Sequence, residues 1–241
     1  MTHLSININK FATLRNARGG NLPDILEAAK NCVSYGAQGI TVHPRPDERH
    51  IRQTDIYDLS RELTVEFNIE GYPSEEFLSM IEIVKPTQCT LVPDPPDVLT
   101  SNAGWDTCAN CEFLENIVLR LKDAGVRTSL FVEPELAMIE GAKRIGTDRV
   151  ELYTEEYAQH FETDKKEAIS PYIEAARCAN ELGMGINAGH DLNLQNLTYF
   201  KDNIDGLLEV SIGHALICDA IYLGLQNTIN AYQACLGNAA K

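Results

Sequence analysis

Eight short β-rich runs, separated by amphipathic stretches, constrain the fold of this chain more than any other feature of its sequence. The runs cover residues 4–9, 39–43, 64–70, 88–93, 128–133, 149–154, 185–190 and 207–213. The main amphipathic stretches cover residues 23–35, 73–84, 113–124, 135–145 and 167–182, with apolar residues at helical spacing such as Leu26, Ala29 and Val33. This regular alternation predicts a parallel sheet whose strands are joined by helical crossovers.

Several predicted helices end at a glycine that leads directly into the next strand, as in YGAQGITV, DAGVRTSL, RIGTDRVEL and ELGMGINAG. Glycine suits the left-handed turn that ends a helix, and apolar residues then resume burial. Eight strand–helix units of roughly 30 residues each match a barrel, whereas an open doubly wound sheet usually has fewer strands and a glycine-rich first turn. The sequence therefore predicts an α/β protein with a (βα)8 TIM-barrel fold, in which residues 1–241 form a single domain.

The charge balance limits the partners that this chain can bind. Its 241 residues include 20 Lys and Arg against 35 Asp and Glu, which gives a formal net charge of −15. Because the acidic residues are spread along the whole sequence, binding to nucleic acid or to an anionic membrane is disfavoured. The longest apolar runs fall far short of the ~20 residues of a membrane span. A phosphorylated substrate would need a local basic site.

The cysteines and the first residues of the chain indicate its compartment. The seven cysteines are an odd number, and the sequence starts with MTHLSININK, which has no charged-then-apolar leader. Both features favour a reducing cytoplasm over a secreted, disulfide-linked protein. Cys108 and Cys111 have the spacing of zinc ligands but lack a second close Cys or His pair, so we expect no metal site.

Polar residues and one glycine lie at the carboxyl ends of the predicted strands, the edge where barrel enzymes build their active sites. They are Asn7, Asn9, His43, Arg45, Glu70, Glu133, Glu151, His190, Gly213 and His214. Histidine titrates near neutral pH and suits proton transfer, although each histidine taken singly could equally be a hydrogen-bonded scaffold residue. Together these residues predict one acid–base site at the mouth of the barrel.

Glu70 lies in FNIEGYP, a largely apolar strand. Burial there would raise the pKa of its carboxyl group, which would make it a general acid or base near neutral pH. A salt bridge to an Arg or Lys is the structural alternative.

Small and basic residues near the strand ends are candidates for phosphate binding. NAGH and IGHA place Gly-His pairs after the last two strands, where backbone N–H groups can approach an anion. HPRPDERHI carries Arg45, Arg49 and His50, and LRNARGG carries Arg15 and Arg18. Tight turns and solvated loops are the alternatives, and we expect at least one of Arg15 and Arg18 to serve structure. Residues 100–112 and 155–164 are predicted to be long polar connections on the same face.

The chain resembles the pyridoxine 5'-phosphate synthase family in seven successive segments: ININKFATLRNARGG, GITVHPRPDERHI, FNIEG, CTLVPD, SLFVE, INAGHDL and IGHALI. The resemblance covers nearly the full chain. It implies a (βα)8 barrel with extra helices that forms a homo-octamer assembled from dimers. It also implies the condensation of 3-amino-2-oxopropyl phosphate with 1-deoxy-D-xylulose 5-phosphate to pyridoxine 5'-phosphate, phosphate and water, with no metal or redox cofactor.

The resemblance also implies roles for individual residues. His43 and Glu70 correspond to proton acceptors, and His190 corresponds to a proton donor. Glu151 corresponds to a carboxylate that stabilises charge in the transition state. The implied substrate-binding residues are Asn7, Asn9, Lys10, Arg18, Arg45, His50, Ser101, Asp191, Gly213 and His214.

Three places depart from the usual pattern of that family. Asn9-Lys10 stands where Asp-His is common, Ser101 where Thr is usual, and Asp191 where the family usually has glycine. Lys10 makes a second enzymatic function possible. In this alternative the chain is an aldolase or isomerase barrel for another phosphosugar, and the Lys10 amine forms a Schiff base with the substrate. A barrel that only binds or scaffolds is the non-catalytic alternative.

Overall fold

The computed structural model describes residues 1–94 and 103–238 and contains a closed barrel of eight parallel strands. The strands are β1 (His3–Asn7), β2 (Gly39–Val42), β3 (Glu66–Gly71), β4 (Gln88–Leu91), β5 (Arg127–Val132), β6 (Arg149–Tyr153), β7 (Gly185–Gly189) and β8 (Leu207–Ile212). Each strand pairs with the next one along the chain, and β8 closes the barrel against β1. This order confirms the predicted TIM-barrel fold, and each predicted strand agrees with the observed one to within two residues at both ends.

Ten helices within the described residues surround the barrel. They are α1 (Asn9–Asn16), α2 (Ile25–Ser34), α3 (Gln53–Glu62), α4 (Glu75–Val84), α5 (Cys111–Asp123), α6 (Leu136–Ile145), α7 (Glu155–Glu181), α8 (Leu197–Asn203), α9 (His214–Leu223) and α10 (Leu225–Cys235). Two helices follow β1 and two follow β8, so the expectation of extra helices is also confirmed.

Residues 155–164 form the first part of α7, where the sequence pattern indicated a polar connection. The prediction was wrong because aromatic residues anchor this polar segment. The buried Tyr157 ring packs against Tyr172 and Phe200, with ring centres 5.9 Å and 5.0 Å away, and Phe161 packs against Tyr157. The helix is interrupted at Asp164, whose φ of −151° and ψ of 90° lie outside the helical region. The connection after β6 is therefore a kinked helix.

The basic segment after β1 is also mostly helical, since α1 begins at Asn9 and ends at Asn16. Arg15 is buried, forms a 2.6 Å ion pair with Asp55 on α3, and donates to the carbonyl oxygen of His50 at 3.0 Å. Arg15 thus serves structure, as expected for one of the two arginines here, because it ties α1 to α3 and to the loop that precedes α3.

Apolar residues of the strands pack against the helices, whereas the inside of the barrel is largely polar. Ile69 on β3, for example, is fully buried in the apolar cluster that joins strands and helices. Hydrogen bonds cross the interior between strands that are not neighbours: Thr90 on β4 to Glu151 on β6 at 3.5 Å, and Asn187 on β7 to Gln88 on β4 at 3.4 Å. Polar side chains therefore extend along the barrel axis towards the carboxyl ends of the strands.

No helix within the described residues is long and apolar enough to cross a membrane. Residues 1–94 and 103–238 also contain no group of three or more His, Cys, Asp or Glu side chains arranged to hold a metal ion. All seven cysteines lie in the described segments as thiols without a disulfide partner.

Candidate active site

A cleft of about 360 Å³ opens at the carboxyl ends of the strands. It brings together twelve of the fourteen residues to which the sequence resemblance gave a role: Asn7, Asn9, Lys10, His43, Arg45, His50, Glu70, Glu151, His190, Asp191, Gly213 and His214. They come from the ends of six strands or from the segments that follow them. Residues distant in sequence therefore meet in one polar pocket, as a barrel requires.

Two described residues expected at the site, Arg18 and Glu133, do not line this cleft. Ser101 lies outside the described residues. Arg18 is exposed and does not line the cleft, so its contact with substrate stays a prediction. Glu133 was expected at the end of β5, but that strand ends at Val132 and the Glu133 carboxylate accepts the Gly104 N–H at 3.1 Å.

Asn7 and Asn9 connect the end of β1 to the next two strands. The side-chain oxygen of Asn7 accepts the backbone N–H of Asn9 at 3.1 Å, and the side-chain nitrogen of Asn7 donates to Glu70 Oε2 at 3.5 Å. Asn9 Oδ1 accepts the backbone N–H of His43 at 3.0 Å. Because a carboxylate oxygen would accept that N–H equally, Asn9 retains the contact available to an aspartate while removing its charge.

Glu70 and His43 form the buried centre of the cleft. Glu70 Oε2 and His43 Nδ1 are 3.8 Å apart, and the two side chains are only 13% and 8% exposed. Burial, followed by the charges of Asp94 and Glu209, raises the pKa of Glu70 to about 8. Burial and the charge of Arg45 hold the pKa of His43 well below its usual range. At neutral pH both groups are therefore largely uncharged, and their contact is not an ion pair.

Glu151 lies deeper in the barrel and is buried. Burial, followed by the nearby Glu70, raises the pKa of Glu151 to about 8, although the Thr90 hydroxyl donates to its Oε2 at 3.5 Å. Gly189 leaves room for this side chain, because a Cβ there would lie 2.5 Å from Glu151 Oε1. The glycine of the NAGH segment therefore accommodates a carboxyl group at the site.

His190 follows β7 with an unusual backbone conformation. Its φ of 100° lies in the left-handed region that residues other than glycine seldom adopt. Its Nδ1 is 2.5 Å from Asp191 Oδ2, and its ring meets Tyr153 edge-on with the ring centres 5.0 Å apart. Burial lowers the pKa of this imidazole, but the hydrogen bond to Asp191 and the charges of Asp191, Glu155 and Glu151 together outweigh burial, so the pKa is raised. Asp191 thus favours the protonated form of His190.

Lys10, Arg45 and His50 supply the basic groups of the cleft. Arg45 forms a buried 2.9 Å ion pair with Asp94. Burial, followed by the charges of Arg45 and Lys10, lowers the pKa of His50 to about 4, so this imidazole is neutral at neutral pH. Its Nδ1 accepts the backbone N–H of Ile51 at 2.9 Å, which leaves Nε2 to carry the proton. An anion in the cleft can therefore meet two cations and one neutral donor.

Gly213 and His214 line the cleft at the amino-terminal end of α9. Because α9 starts at His214, its unpaired N–H groups and the positive end of its dipole lie at this corner. A Cβ on Gly213 would lie 3.0 Å from Asn7 Cβ and 3.1 Å from the Asn7 carbonyl oxygen, so a larger residue would press on β1. Ser211 adds a hydroxyl to the lining. This corner can bind a phosphate group.

Sequence reasoning missed three residues that line the cleft and two that hold its side chains in place. The lining residues are Val92, Phe131 and Ser211, and the supporting residues are Thr90 beside Glu151 and Asp94 beside Arg45. The two-residue period of a strand could have found Ser211, which lies two positions before Gly213. No sequence signal pairs Asp94 with Arg45, because that contact joins residues 49 positions apart.

The chain is similar in sequence to curated bacterial proteins named pyridoxine 5'-phosphate synthase. The protein from Parabacteroides distasonis is 58% identical over 238 residues, which cover 99% of this chain and 100% of that relative. The protein from Cytophaga hutchinsonii is 61% identical over 232 residues, which cover 96% of this chain and 98% of that relative.

Solved structures share the barrel at much lower identity. Phosphoribosyl anthranilate isomerase from Thermotoga maritima has a TM-score of 0.64 at 16% identity, with 98% of this chain and 99% of that chain covered. This likeness supports the fold alone.

A family model described as "Pyridoxal phosphate biosynthesis protein PdxJ" matches residues 4–238. The match spans seven of the eight strands in full, most of β1, and every residue that lines the cleft. Together with the two relatives, it shows that this chain belongs to the PdxJ family of pyridoxal phosphate biosynthesis proteins.

Proposed function

We propose that this protein catalyses the reaction of a pyridoxine 5'-phosphate synthase: it condenses 3-amino-2-oxopropyl phosphate with 1-deoxy-D-xylulose 5-phosphate and releases pyridoxine 5'-phosphate, phosphate and water. The observation that carries the proposal is the cleft, where His43, Glu70 and His190 lie beside basic residues. Relatives of that name at 58% and 61% identity support the same reaction. In this proposal residues 1–241 act as one catalytic domain.

The chemistry requires several acid–base groups and two anion sites. An amine attacks a ketone, phosphate is eliminated, a carbon–carbon bond forms and two molecules of water leave, and most of these steps move a proton. One of the two phosphates is the leaving group, whereas the other stays in the product and is remote from the bonds that form. Binding of both groups can still hold the reacting carbons together.

Glu70 and His43 act as proton acceptors in this proposal. The low pKa of His43 keeps its imidazole unprotonated and therefore able to accept a proton. Glu70, with its pKa raised to about 8, is a stronger base than an ordinary carboxylate once it is ionised. An ammonium group on a bound substrate would favour that ionised form, so binding of the amine prepares the base.

His190 acts as the proton donor, and Glu151 stabilises charge in the transition state. The contact with Asp191 favours the protonated imidazole that a donor requires. Glu151 is buried and its pKa is raised to about 8, so it is largely protonated at neutral pH before the reaction. Positive charge that develops nearby favours its ionised form, and that charge acts strongly in a buried site.

Two groups of residues hold the two phosphates. Gly213 and His214 at the start of α9 bind one of them, and Arg45 and His50 bind the other, with Lys10 as a further cation. The remaining predicted substrate contacts are Asn7, Asn9, Arg18, Ser101 and Asp191.

Turnover of the two substrates tests the proposal directly. Purified protein is incubated with both phosphorylated substrates in the presence of EDTA, and the product is followed by absorbance and mass spectrometry. The wild type should form pyridoxine 5'-phosphate, and Glu70→Gln should slow the reaction by about 100-fold or more. Glu140→Gln, at an exposed position on α6, is the matched control and should keep full activity.

Two results would contradict the proposal. A folded wild-type protein that forms no product would overturn the synthase reaction. Borohydride trapping of a substrate on Lys10 would favour the aldolase alternative, because only a Schiff base is reduced to a stable adduct.

The working form in this proposal is a homo-octamer assembled from dimers, located in the cytoplasm. Large apolar side chains are exposed on α1, on the segment before α2 and on α9: Leu14, Leu22, Ile221 and Tyr222 are 63%, 82%, 74% and 88% exposed. Exposed apolar groups of this kind support an interface between copies of the chain. Light scattering after size-exclusion chromatography should give the mass of an octamer, and a stable monomer would overturn the proposed assembly. Cell fractionation checks the cytoplasmic location.

A further inference from the structure

Arg45 is held by Asp94, a residue outside the catalytic and substrate-binding set proposed above. Arg45 Nη2 donates to Asp94 Oδ2 at 2.9 Å, and the two side chains are only 5% and 2% exposed. Arg45 lines both the active-site cleft and a neighbouring cavity of about 80 Å³, whereas Asp94 lines the neighbouring cavity but not the cleft. Asp94 therefore binds the guanidinium from outside the cleft, while Arg45 itself remains available to a phosphate in the cleft.

The same ion pair acts on Glu70. The charge of Asp94 raises the pKa of Glu70 and the charge of Arg45 lowers it, so the two effects oppose each other at this carboxyl group. The titratable or charged groups that face Glu70 are His43 and Arg45 from the end of β2, Asp94 from the segment after β4, Glu151 on β6 and Glu209 on β8. Of these groups, Asp94 forms the ion pair with Arg45.

We propose that Asp94 is a positioning residue: it fixes the Arg45 guanidinium for a substrate phosphate and offsets the positive charge that Arg45 places near Glu70. This inference rests on the proposed function and deepens it. A guanidinium binds phosphate through directional N–H groups, so its plane must be fixed before the substrate arrives. An ion pair to a buried carboxylate fixes that plane, and the cleft then needs no rearrangement of Arg45 on binding.

Asp94→Asn tests the inference, because the amide keeps the shape of the carboxylate and removes its charge. We expect KM for at least one of the two phosphorylated substrates to rise about tenfold or more, while kcat changes much less. The acidic limb of the kcat/KM profile should move to lower pH by about one unit, because loss of a neighbouring negative charge favours the ionised form of Glu70. A purely structural role for Asp94 would reduce the amount of folded enzyme but move neither KM nor this limb.

Asp94→Glu provides a second variant, which keeps the charge and displaces the carboxylate by one methylene group. This variant should raise KM less than Asp94→Asn does, and it should leave the acidic limb of the kcat/KM profile in place. It tests the positioning role if Asp94→Asn does not fold. Asp148→Asn is the control, since Asp148 is partly buried and forms a 3.0 Å ion pair with Lys122, but lies just before the amino-terminal end of β6. We expect this control to keep the wild-type KM.

A double variant asks whether Asp94 acts through Arg45. In an Arg45→Gln background, Asp94→Asn should raise KM little further, because the contact it removes is already lost. Additive effects on KM, or a folded Asp94→Asn or Asp94→Glu enzyme with wild-type KM, would overturn the inference alone. An inactive wild-type protein would instead overturn the proposed function, and this inference with it.

Discussion

The contact between Asp191 and His190 shows how one side chain can define the chemistry of its neighbour. Asp191 Oδ2 lies 2.5 Å from Nδ1 of the imidazole, so Nε2 is the nitrogen left to meet a substrate. Asp191 therefore raises the pKa of the proposed proton donor and determines which of its nitrogens is usable. The sequence marks position 191 as unusual for the family, but it does not reveal this contact, because the contact depends on the turn that follows β7.

Replacing Asp191 with Asn should lower the pKa of His190, because the neutral amide removes the negative charge that favours the imidazolium. If His190 donates a proton, the alkaline limb of the kcat/KM profile then moves down by about one pH unit. Steady-state kinetics between about pH 6 and 9 measure this shift. Asp202→Asn, which changes an exposed aspartate on α8, is the control. An alkaline limb that stays in place would refute the role of Asp191.

At the scale of strands and helices, periodicity predicts the barrel better than its connections. The strands were predictable because buried parallel strands are short, apolar and preceded by glycine-ended helices. Residues 155–164 were not predictable, because only Tyr157 and Phe161 anchor this polar stretch of helix to the core. In the cleft, strand-end residues such as His43 and Glu70 follow from strand order, whereas Thr90 and Asp94 act through contacts that only the closed barrel creates.

Gly189→Ala should disturb the site while leaving the barrel folded. The added Cβ would lie 2.5 Å from Glu151 Oε1 and 3.0 Å from the Ser211 carbonyl oxygen, so the carboxyl group must move. We expect about 1–3 kcal/mol of lost stability and at least a tenfold loss of kcat/KM. Gly185→Ala at the other end of β7 is the matched control, since its Cβ would meet the side chains of Arg149 and Leu208 far from the cleft. Equal activity losses in both variants would refute the specific effect on Glu151.

For the molecule as a whole, buried carboxyl groups link stability to pH. The pKa values of Glu70, Glu151 and Glu209 are each raised to about 8, first by burial and then by neighbouring carboxylates. Between the ordinary value near 4.5 and about 8 the folded state binds more protons than the unfolded state, so stability falls as the pH rises. The depressed pKa of His50 has the opposite effect, but only between about 4 and its usual value of 6.5.

Above pH 6.5 the three carboxyl groups should therefore dominate the pH dependence of stability. Tm should fall by about 5 °C or more between pH 6.5 and 8.5. Glu209→Gln should flatten this dependence, because it removes one group that must lose a buried proton. Differential scanning calorimetry across this range measures both slopes, and Glu140→Gln, at an exposed position, should leave the slope unchanged. A Tm that rises with pH over this interval would refute the linkage.

The hydrogen bonds that cross the barrel interior have a consequence for engineering. TIM barrels are usually filled with layers of Val, Ile and Leu, whereas here Thr90, Gln88 and Asn187 reach across the axis. Aliphatic replacements at such positions remove the cost of burying polar groups, but at Thr90 they also remove a hydrogen bond to Glu151. Substitutions along the barrel axis that raise thermal stability are therefore expected to lower turnover. A thermostable variant that still works is best sought in the surrounding layer of helices, with the axis left as it is.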